Sequence, residues 1–373
     1  MNARRTLAIS RRIADLFRRD ERTLALMFVA PIVIMGLLGW VIRDQSVPAT
    51  RIAAVTPSGA IGEAGRQRLE DAVTAAGMTF RDDITTEDAA RTALADDEID
   101  VALVITVEGT TPQVAIITPG VNPAGDSASV AELRQIIGAA TGQTGPPVEQ
   151  ETIYGDGDFF NAFAPALVGF VVFFLVFILT GISFLRERIG GTLERLLATP
   201  VRRLEIVVGY SVGFAFFATL QVALVLLFVL GSLHIEPIGP LPAINLGLGV
   251  PIAGSPVLAF VITLLLALSA VNLGIFLSTF ARTEFQILQF IPLVIVPQVL
   301  LAGLLWPVDS LPGILEPIAY LLPMTYGIDG LREVLVKGSG LADAKVLIDI
   351  AVLAGIALVL AVAATLTIRR EVA

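Results

Sequence analysis

Reactive side chains are scarce in this 373-residue sequence. It holds no cysteine and a single histidine, His234. Thiolate metal sites, disulfides and Ser-His-Asp catalysis therefore have almost no material, and His234 reads as a loop or interface residue. The only lysines are Lys337, between Val336 and Gly338, and Lys345, between Ala344 and Val346. Neither is the lysine of G-x-x-x-x-G-K-[ST], the loop whose N–H groups cradle nucleotide phosphates. No HExxH is present either. Carboxylates are plentiful, at 34 Asp plus Glu. The clusters Asp82-Asp83 and Asp96-Asp97-Glu98 lack the spacing of a calcium loop and read as solvated surface. A net charge of −9 argues against nucleic acid, which calls for a basic footprint. One set of ionisable residues stands out. Asp329, Arg332 and Glu333 sit among apolar residues at spacings that bring Asp329 beside Arg332 or Glu333 on one helix face. They read as an internal ion pair bracing that helix, or as functional groups at membrane depth.

The elements that would position such groups are membrane spans. Hydrophobic residues make up 55% of the chain and the mean hydropathy is +0.81. The excess lies in long uncharged runs, which a bilayer explains better than one large core. Residues 23–42 form an unbroken apolar stretch between Arg22 and Arg43, too long for the h-region of a cleaved signal peptide. Further runs occupy 159–185, 206–233, 257–280, 287–306 and 346–368, which predicts six spans. Residues 307–345 are apolar in part but cut by Pro312, Pro317 and Pro323. They read as re-entrant or interfacial helices, because broken backbone at membrane depth must be buried in protein or line a cavity.

Arginine placement sets the orientation. Seven arginines precede the first run (Arg4, Arg5, Arg11, Arg12, Arg18, Arg19 and Arg22), and five fill the loop after the second (Arg186, Arg188, Arg195, Arg202 and Arg203). Both termini are thus expected in the cytoplasm, with residues 369–373 as a short tail. Residues 43–158 then form an outside domain. Its pattern predicts strands at Ile52–Val55, Met78–Arg81, Val101–Val107 and Val114–Thr118, the last two as a hairpin. Helices are expected at Ile61–Ala76, Thr86–Asp97 and Ser127–Ala140, followed by a Gly/Pro tether at Gly142–Pro147. The fold class is an α-helical polytopic membrane protein with an inserted α/β domain of about four strands. Residues 234–256 are the outer loop between the third and fourth spans, and 281–286 a cytoplasmic turn.

Two cytoplasmic segments carry most of the functional information. Residues 1–22 place Ile9, Ile13, Leu16 and Phe17 at helical spacing among arginines, a basic amphipathic helix suited to the headgroup layer. Residues 186–205 contain RERIGGTLERLLATPVRR, where Gly190-Gly191 breaks the incoming helix and Pro200 stops the next one. Between them, Thr192 to Ala198 form about two turns with Leu193, Leu196 and Leu197 on one face. A helix this short is unstable alone in water, so its apolar face must pack on the protein's own helix ends or on a partner.

This loop resembles that of ABC-2-type transporter permeases, the drug- and antibiotic-resistance branch. The correspondence rests on Glu187, Gly191, Thr192, Leu193, Glu194, Arg195, Leu196, Leu197 and Pro200; Gly190 is an extra residue expected only to loosen the turn. Ile275–Gln289 is similar to the family's turn between the fourth and fifth spans. Ala302-Gly303, Trp306-Pro307-Val308 and Leu311-Pro312 resemble its re-entrant segment, with Ala302 in place of the usual Ser. Leu322-Pro323-Met324-Thr325-Tyr326, continuing to Arg332, resembles the element that follows.

The resemblance implies a permease subunit of an ATP-driven exporter in the cell membrane of a prokaryote. Its short helix would seat in a separate ATP-binding subunit, present in two copies, where ATP and Mg are bound; this chain itself would bind no cofactor. A second permease subunit, as a homodimer, would complete the pathway within the lipid. Phe170, Phe173, Phe174, Phe177, Gln289 and Gln298 are expected to line that pathway, with Asp329 and Arg332 near its gate. The competing class is a membrane receptor that senses a ligand through residues 43–158, although no cytoplasmic signalling module is evident.

Overall fold

A computed structural model describes residues 2–42, 51–55, 67, 70–74, 78–81, 83–96, 98–108, 111–120, 130, 133–134, 137, 148–153, 159–235, 244–305 and 307–368. The chain divides into two compact units. One comprises Met1–Trp40 with Ala164–Ala373, and the other Val41–Phe163.

The first unit begins with α1, Ala3–Arg19, capped by the Asn2 side chain accepting from the Arg4 N–H. Helix α2, Glu21–Ile42, follows almost at once. Its described apolar stretch, residues 23–37, is shorter than a full span.

The second unit is a mixed sheet in the order β2-β1-β3-β4-β5. Strands β1 (Arg51–Val55), β2 (Thr79–Arg81) and β3 (Val101–Glu108) run parallel, and β3 forms an antiparallel pair with β4, Thr111–Thr118. Helix α3, Glu87–Ala95, is capped by Thr86 between β2 and β3. Strand β5, Val148–Thr152, pairs parallel to β4. Among the described residues the sheet therefore has five strands where about four were expected. Polar VEQET has no apolar alternation to mark it as a strand, and only its ladder with β4 makes it one.

Period-two alternation sends Ile52, Leu103 and Ile116 to one face, and Ala53, Val104 and Ile117 to the other. Val73, Val130, Leu133 and Ile137 pack on the first face, while Ala90, Ala93 and Leu94 of α3 pack on the second. Both faces are thus covered, as parallel strands require. Arg91 donates to Glu87 and Glu151, which holds the Glu151 carboxyl below its ordinary range. Much of the helix expected at 61–76, most of that at 127–140, and the tether at 142–147 lie outside the described residues.

The remaining helices belong mainly to the first unit. They are α4 (Phe159–Ile189), α5 (Thr192–Leu197), α6 (Arg203–Leu230), α7 (Pro256–Ser278) and α8 (Glu284–Leu301). A short 3₁₀ turn at Val308–Ser310 leads to α9 (Glu316–Ala319), α10 (Pro323–Leu335) and α11 (Ala344–Thr367). Among the described residues, five helices, α4, α6, α7, α8 and α11, are long and apolar enough to cross a membrane, one fewer than the six spans expected. The connection between α6 and α7 contains a small hairpin of β6 (Leu233–Ile235) and β7 (Ile244–Leu246), in which His234 pairs with Asn245. Nothing in the composition of that loop announced the hairpin.

Small residues allow the spans to approach closely, as expected where apolar packing alone gives no advantage over lipid. A Cβ on Gly274 of α7 would lie 2.9 Å from the Phe177 carbonyl oxygen and 3.0 Å from the Gly181 nitrogen of α4. Alongside, Ser269 and Asn272 of α7 donate to the carbonyls of Leu353 and Ala357 on α11. A Cβ on Gly327 would strike Leu266, which seats α10 on α7.

Candidate functional site

The loop between α4 and α6 is built outward from two glycines. Gly190 closes the last turn of α4, its N–H donating to the Arg186 carbonyl at 2.9 Å. A Cβ there would sit 3.0 Å from that same oxygen, a crowded approach that glycine avoids. Gly191 has φ +70°, a left-handed conformation that a side chain disfavours. It redirects the chain and caps α5, whose Arg195 N–H reaches back to the Gly191 carbonyl.

The apolar face of α5 turns toward its own chain. Leu193 and Leu197 are buried, Leu196 is half-buried, and Glu194, Arg195, Ala198, Thr199 and Pro200 are exposed. A cavity behind the helix has Leu193 and Leu197 on one side and Phe280 and Leu366, from the ends of α7 and α11, on the other. Leu193 and Leu197 face the protein's own helix ends across this cavity. The polar edge, with half-buried Leu196, stays at the surface. Spacing alone could not assign which side of an amphipathic turn a neighbouring subunit meets.

Glu187 is likewise turned inward. Its carboxylate accepts from the Tyr210 hydroxyl of α6 at 2.9 Å and from the Arg12 guanidinium of α1. One residue along, Arg188 Nη1 donates to the Ser278 and Thr279 carbonyls at 2.7 Å, satisfying orphan acceptors at the end of α7. Arg186 forms an exposed pair with Glu284 at the start of α8. Three successive charged residues thus tie the end of α4 to α1, α7 and α8.

Helix α1 completes this assembly. Its apolar face packs on α6. Ile9 and Ile13 sit on Gly209 and Gly213 of α6, where any Cβ would come within 2.8 Å of them. Phe17 meets Phe214 edge-on at a centroid distance of 5.5 Å, and Ser10 donates to the Gly209 carbonyl at 2.8 Å. Only Leu16, of the four apolar residues, remains exposed. The G-x-x-x-G of residues 209–213 was the available sequence signal for this docking. Glu205, which accepts from the N–H groups of Asn2 and Arg202, had no such signal.

The residues expected along a pathway do not share one surface. Phe173 and Phe177 are buried inside the subunit and stack on each other at 6.3 Å. Phe170 and Phe174 are half-buried and stack at 5.6 Å. Gln298 is buried, its Oε1 accepting from the Met324 N–H to join α8 to α10. Only Gln289 is exposed. In α10, Asp329 is exposed and Arg332 half-buried, its Nη1 passing near Gly303. Glu333 is engaged by Lys337 at 3.1 Å and Ser339 at 2.9 Å. Periodicity located these residues on helices, and the packing holds Phe173, Phe177 and Gln298 inside the subunit.

Comparison with known proteins agrees with this architecture. Residues 22–366 match the family described as ABC-2 family transporter protein. The chain is 31% identical over 192 residues to ABC transporter G family member 20 of Dictyostelium discoideum, covering 51% of this chain and 24% of that protein. It is 28% identical over 176 residues to the probable multidrug ABC transporter permease YbhS of Escherichia coli, covering 47% and 43%. Identity to the linearmycin resistance permease protein LnrN of Bacillus subtilis is 29% over 182 residues, covering 48% and 43%. The aligned region thus spans less than half the length of each relative. With the family matched across nearly its whole length, the chain belongs to the ABC-2 family of transporter membrane proteins.

Proposed function

We propose that this chain is the permease subunit of an ATP-driven exporter, coupled to a separate ATP-binding subunit through the exposed edge of α5. The observation that carries the reading is the anchoring of that edge. Gly191 turns α5 out of the span, while Glu187 and Arg188 fix the end of α4 to α1, α6 and α7. A displacement applied to Glu194, Arg195 and Leu196 would pass directly into spans instead of dissipating in a loop. ATP and Mg bind in the partner, which closes and opens in two states, and the bundle alternates its exposure with them.

In the same reading, α2 is a sixth span. Its helix of 22 residues could cover the ~30 Å hydrocarbon core at 1.5 Å per residue. Both termini then face the cytoplasm of a prokaryotic cell and the sheet domain lies outside. Two copies of this chain and two ATP-binding subunits form the working assembly. The cargo is a hydrophobic or amphipathic compound; the multidrug and linearmycin-resistance relatives support a drug or antibiotic.

The test is co-expression with the ATP-binding subunit and purification in detergent. Arg195→Glu combined with Glu194→Arg should lose that subunit while thermal stability changes by less than about 0.5 kcal/mol, as for exposed sites. Retention of a full complement of the ATP-binding subunit by this double variant would remove the coupling role from α5. Leu197→Asp is the contrasting control. Its buried charge should destabilise the permease itself by about 3 kcal/mol or more.

A further inference from the structure

The cavity behind α5 has a composition that its role in coupling does not explain. Its volume is about 310 Å³, at the lower end of the ~300–1,000 Å³ of small-molecule sites. Leu193 and Leu197 of α5, Phe280 after α7 and Leu366 of α11 supply apolar wall, and Arg188 and Glu194 supply one charge of each sign. Arg188 spends Nη1 on two neutral carbonyls. Among the described residues its Nε and Nη2 have no acceptor, and the Glu194 carboxylate has no donor. A half-buried guanidinium without a counter-ion retains a planar pair of N–H donors matched to a phosphate. A carboxylate nearby accepts from an ammonium.

We propose that this cavity is a site for a zwitterionic phospholipid headgroup carrying a primary ammonium, of the phosphatidylethanolamine class. The phosphate meets Arg188, the ammonium meets Glu194, and the first part of the acyl chains runs along Leu193, Phe280 and Leu366. Leu366 is 73% exposed, so the apolar wall continues from the cavity out to the surface of α11, where chains can leave into the bilayer. The choice among headgroups follows from the charges. An anionic lipid leaves Glu194 unanswered and adds repulsion, while a choline headgroup offers no N–H to the carboxylate. The site lies between the helix that the ATP-binding subunit grips and the ends of two spans to which that helix is not directly linked in sequence. A bound lipid would therefore act as a wedge transmitting its motion to α7 and α11. The placement in the inner leaflet rests on the orientation given under Proposed function; the headgroup preference does not.

With only two native tryptophans, tryptophan fluorescence is the convenient probe. In a background of Trp40→Phe and Trp306→Phe, which removes both native tryptophans, Leu366→Trp reports on the cavity. Leu358→Trp, at a position 66% exposed on the same helix, reports on bulk lipid. The permease is reconstituted in phosphatidylcholine vesicles containing a minor fraction of brominated phosphatidylethanolamine, phosphatidylcholine or phosphatidylglycerol. Quenching at 366 should favour brominated phosphatidylethanolamine over the other two by about fivefold in apparent affinity, the worth of one weak ion pair. Quenching at 358 should not discriminate. Glu194→Gln should erase the preference over phosphatidylcholine. Equal quenching by all three lipids at 366, or a preference that survives Glu194→Gln, overturns the proposal. Adding the ATP-binding subunit gives the last arm: loss of brominated-lipid quenching in the assembled complex would assign the cavity to a side chain of that subunit and overturn the lipid site. None of these outcomes depends on export, so co-purification still tests the coupling reading separately.

Discussion

Helices α4 and α8 were both expected to line a pathway, yet they occupy opposite situations. In the apolar core window of α4, 67% of residues are buried within the subunit; in that of α8, 17% are. Helix α4 is wedged between α6, α7 and α10, with Gly169 and Gly181 admitting its neighbours. Helix α8 carries Pro292 and Pro297 and turns Leu288, Leu293, Val296 and Leu300 outward. It touches the rest of the subunit chiefly through Ile287, near Leu185, and through Gln298. Both sequences are apolar enough to cross a bilayer, and that alone does not tell which one is surrounded by protein. What differs is the partner: α4 is solvated by protein, and α8 by lipid or by another chain.

The contrast can be broken most forcefully at the α4–α7 crossing. Gly274→Leu requires a side chain where the Phe177 carbonyl lies 2.9 Å from the Cβ position. Overpacking against backbone cannot relax by a rotamer change, and a loss of more than about 3 kcal/mol is expected. Fluorescence-detected size exclusion should show little monodisperse protein; a normal peak would mean that the helices separate easily. The next largest effect lies at the Arg12–Glu187 pair. A double-mutant cycle of Arg12→Ala and Glu187→Ala, read by thermal unfolding in detergent, should give a coupling of about 1–2 kcal/mol, moderated because Arg12 is 34% exposed. A coupling near zero would detach α1 from the end of α4.

On α8 the expected effects are smaller. Leu293→Ala, at a position 68% exposed, should change subunit stability by no more than about 0.5 kcal/mol. Leu293→Cys sharpens the comparison, because the chain has no other cysteine. Disulfide-linked dimers in oxidised membranes are expected if two copies meet along α8, and monomer alone would assign that surface to lipid. The smallest effect belongs to Arg186→Gln. This exposed link between the two helices, with side chains 57% and 50% exposed, should contribute about 0.2–0.5 kcal/mol, within reach only of careful thermal scans.

Much of the architecture was legible because the bilayer imposes a simple rule. Uncharged runs had to be helices, and each observed span lies within a few residues of the run that announced it. Residues 23–42 are helical too, although their described apolar stretch is too short to count as a span. The strands β1 to β4 were legible from their alternation, and β5 was not, since a polar strand is defined by its partner. The docking of α1 was only half legible: its apolar stripe was plain, but amphipathicity is equally satisfied by lipid and by a glycine-lined helix.

The α5 loop divides along the same line. Gly191, the short helix and the stop at Pro200 follow from backbone preferences that a few neighbouring residues carry, so order and type alone determined them. Which face of that helix is free did not follow. Leu193 and Leu197 are covered because the ends of α7 and α11, roughly 85 and 170 residues further along the sequence, come to lie beside them. Arg188 and Glu194 face one cavity for the same reason. Local sterics and hydrophobicity are written in adjacent residues, whereas contacts between distant helix ends exist only once the helices have packed, and tertiary structure alone decided them.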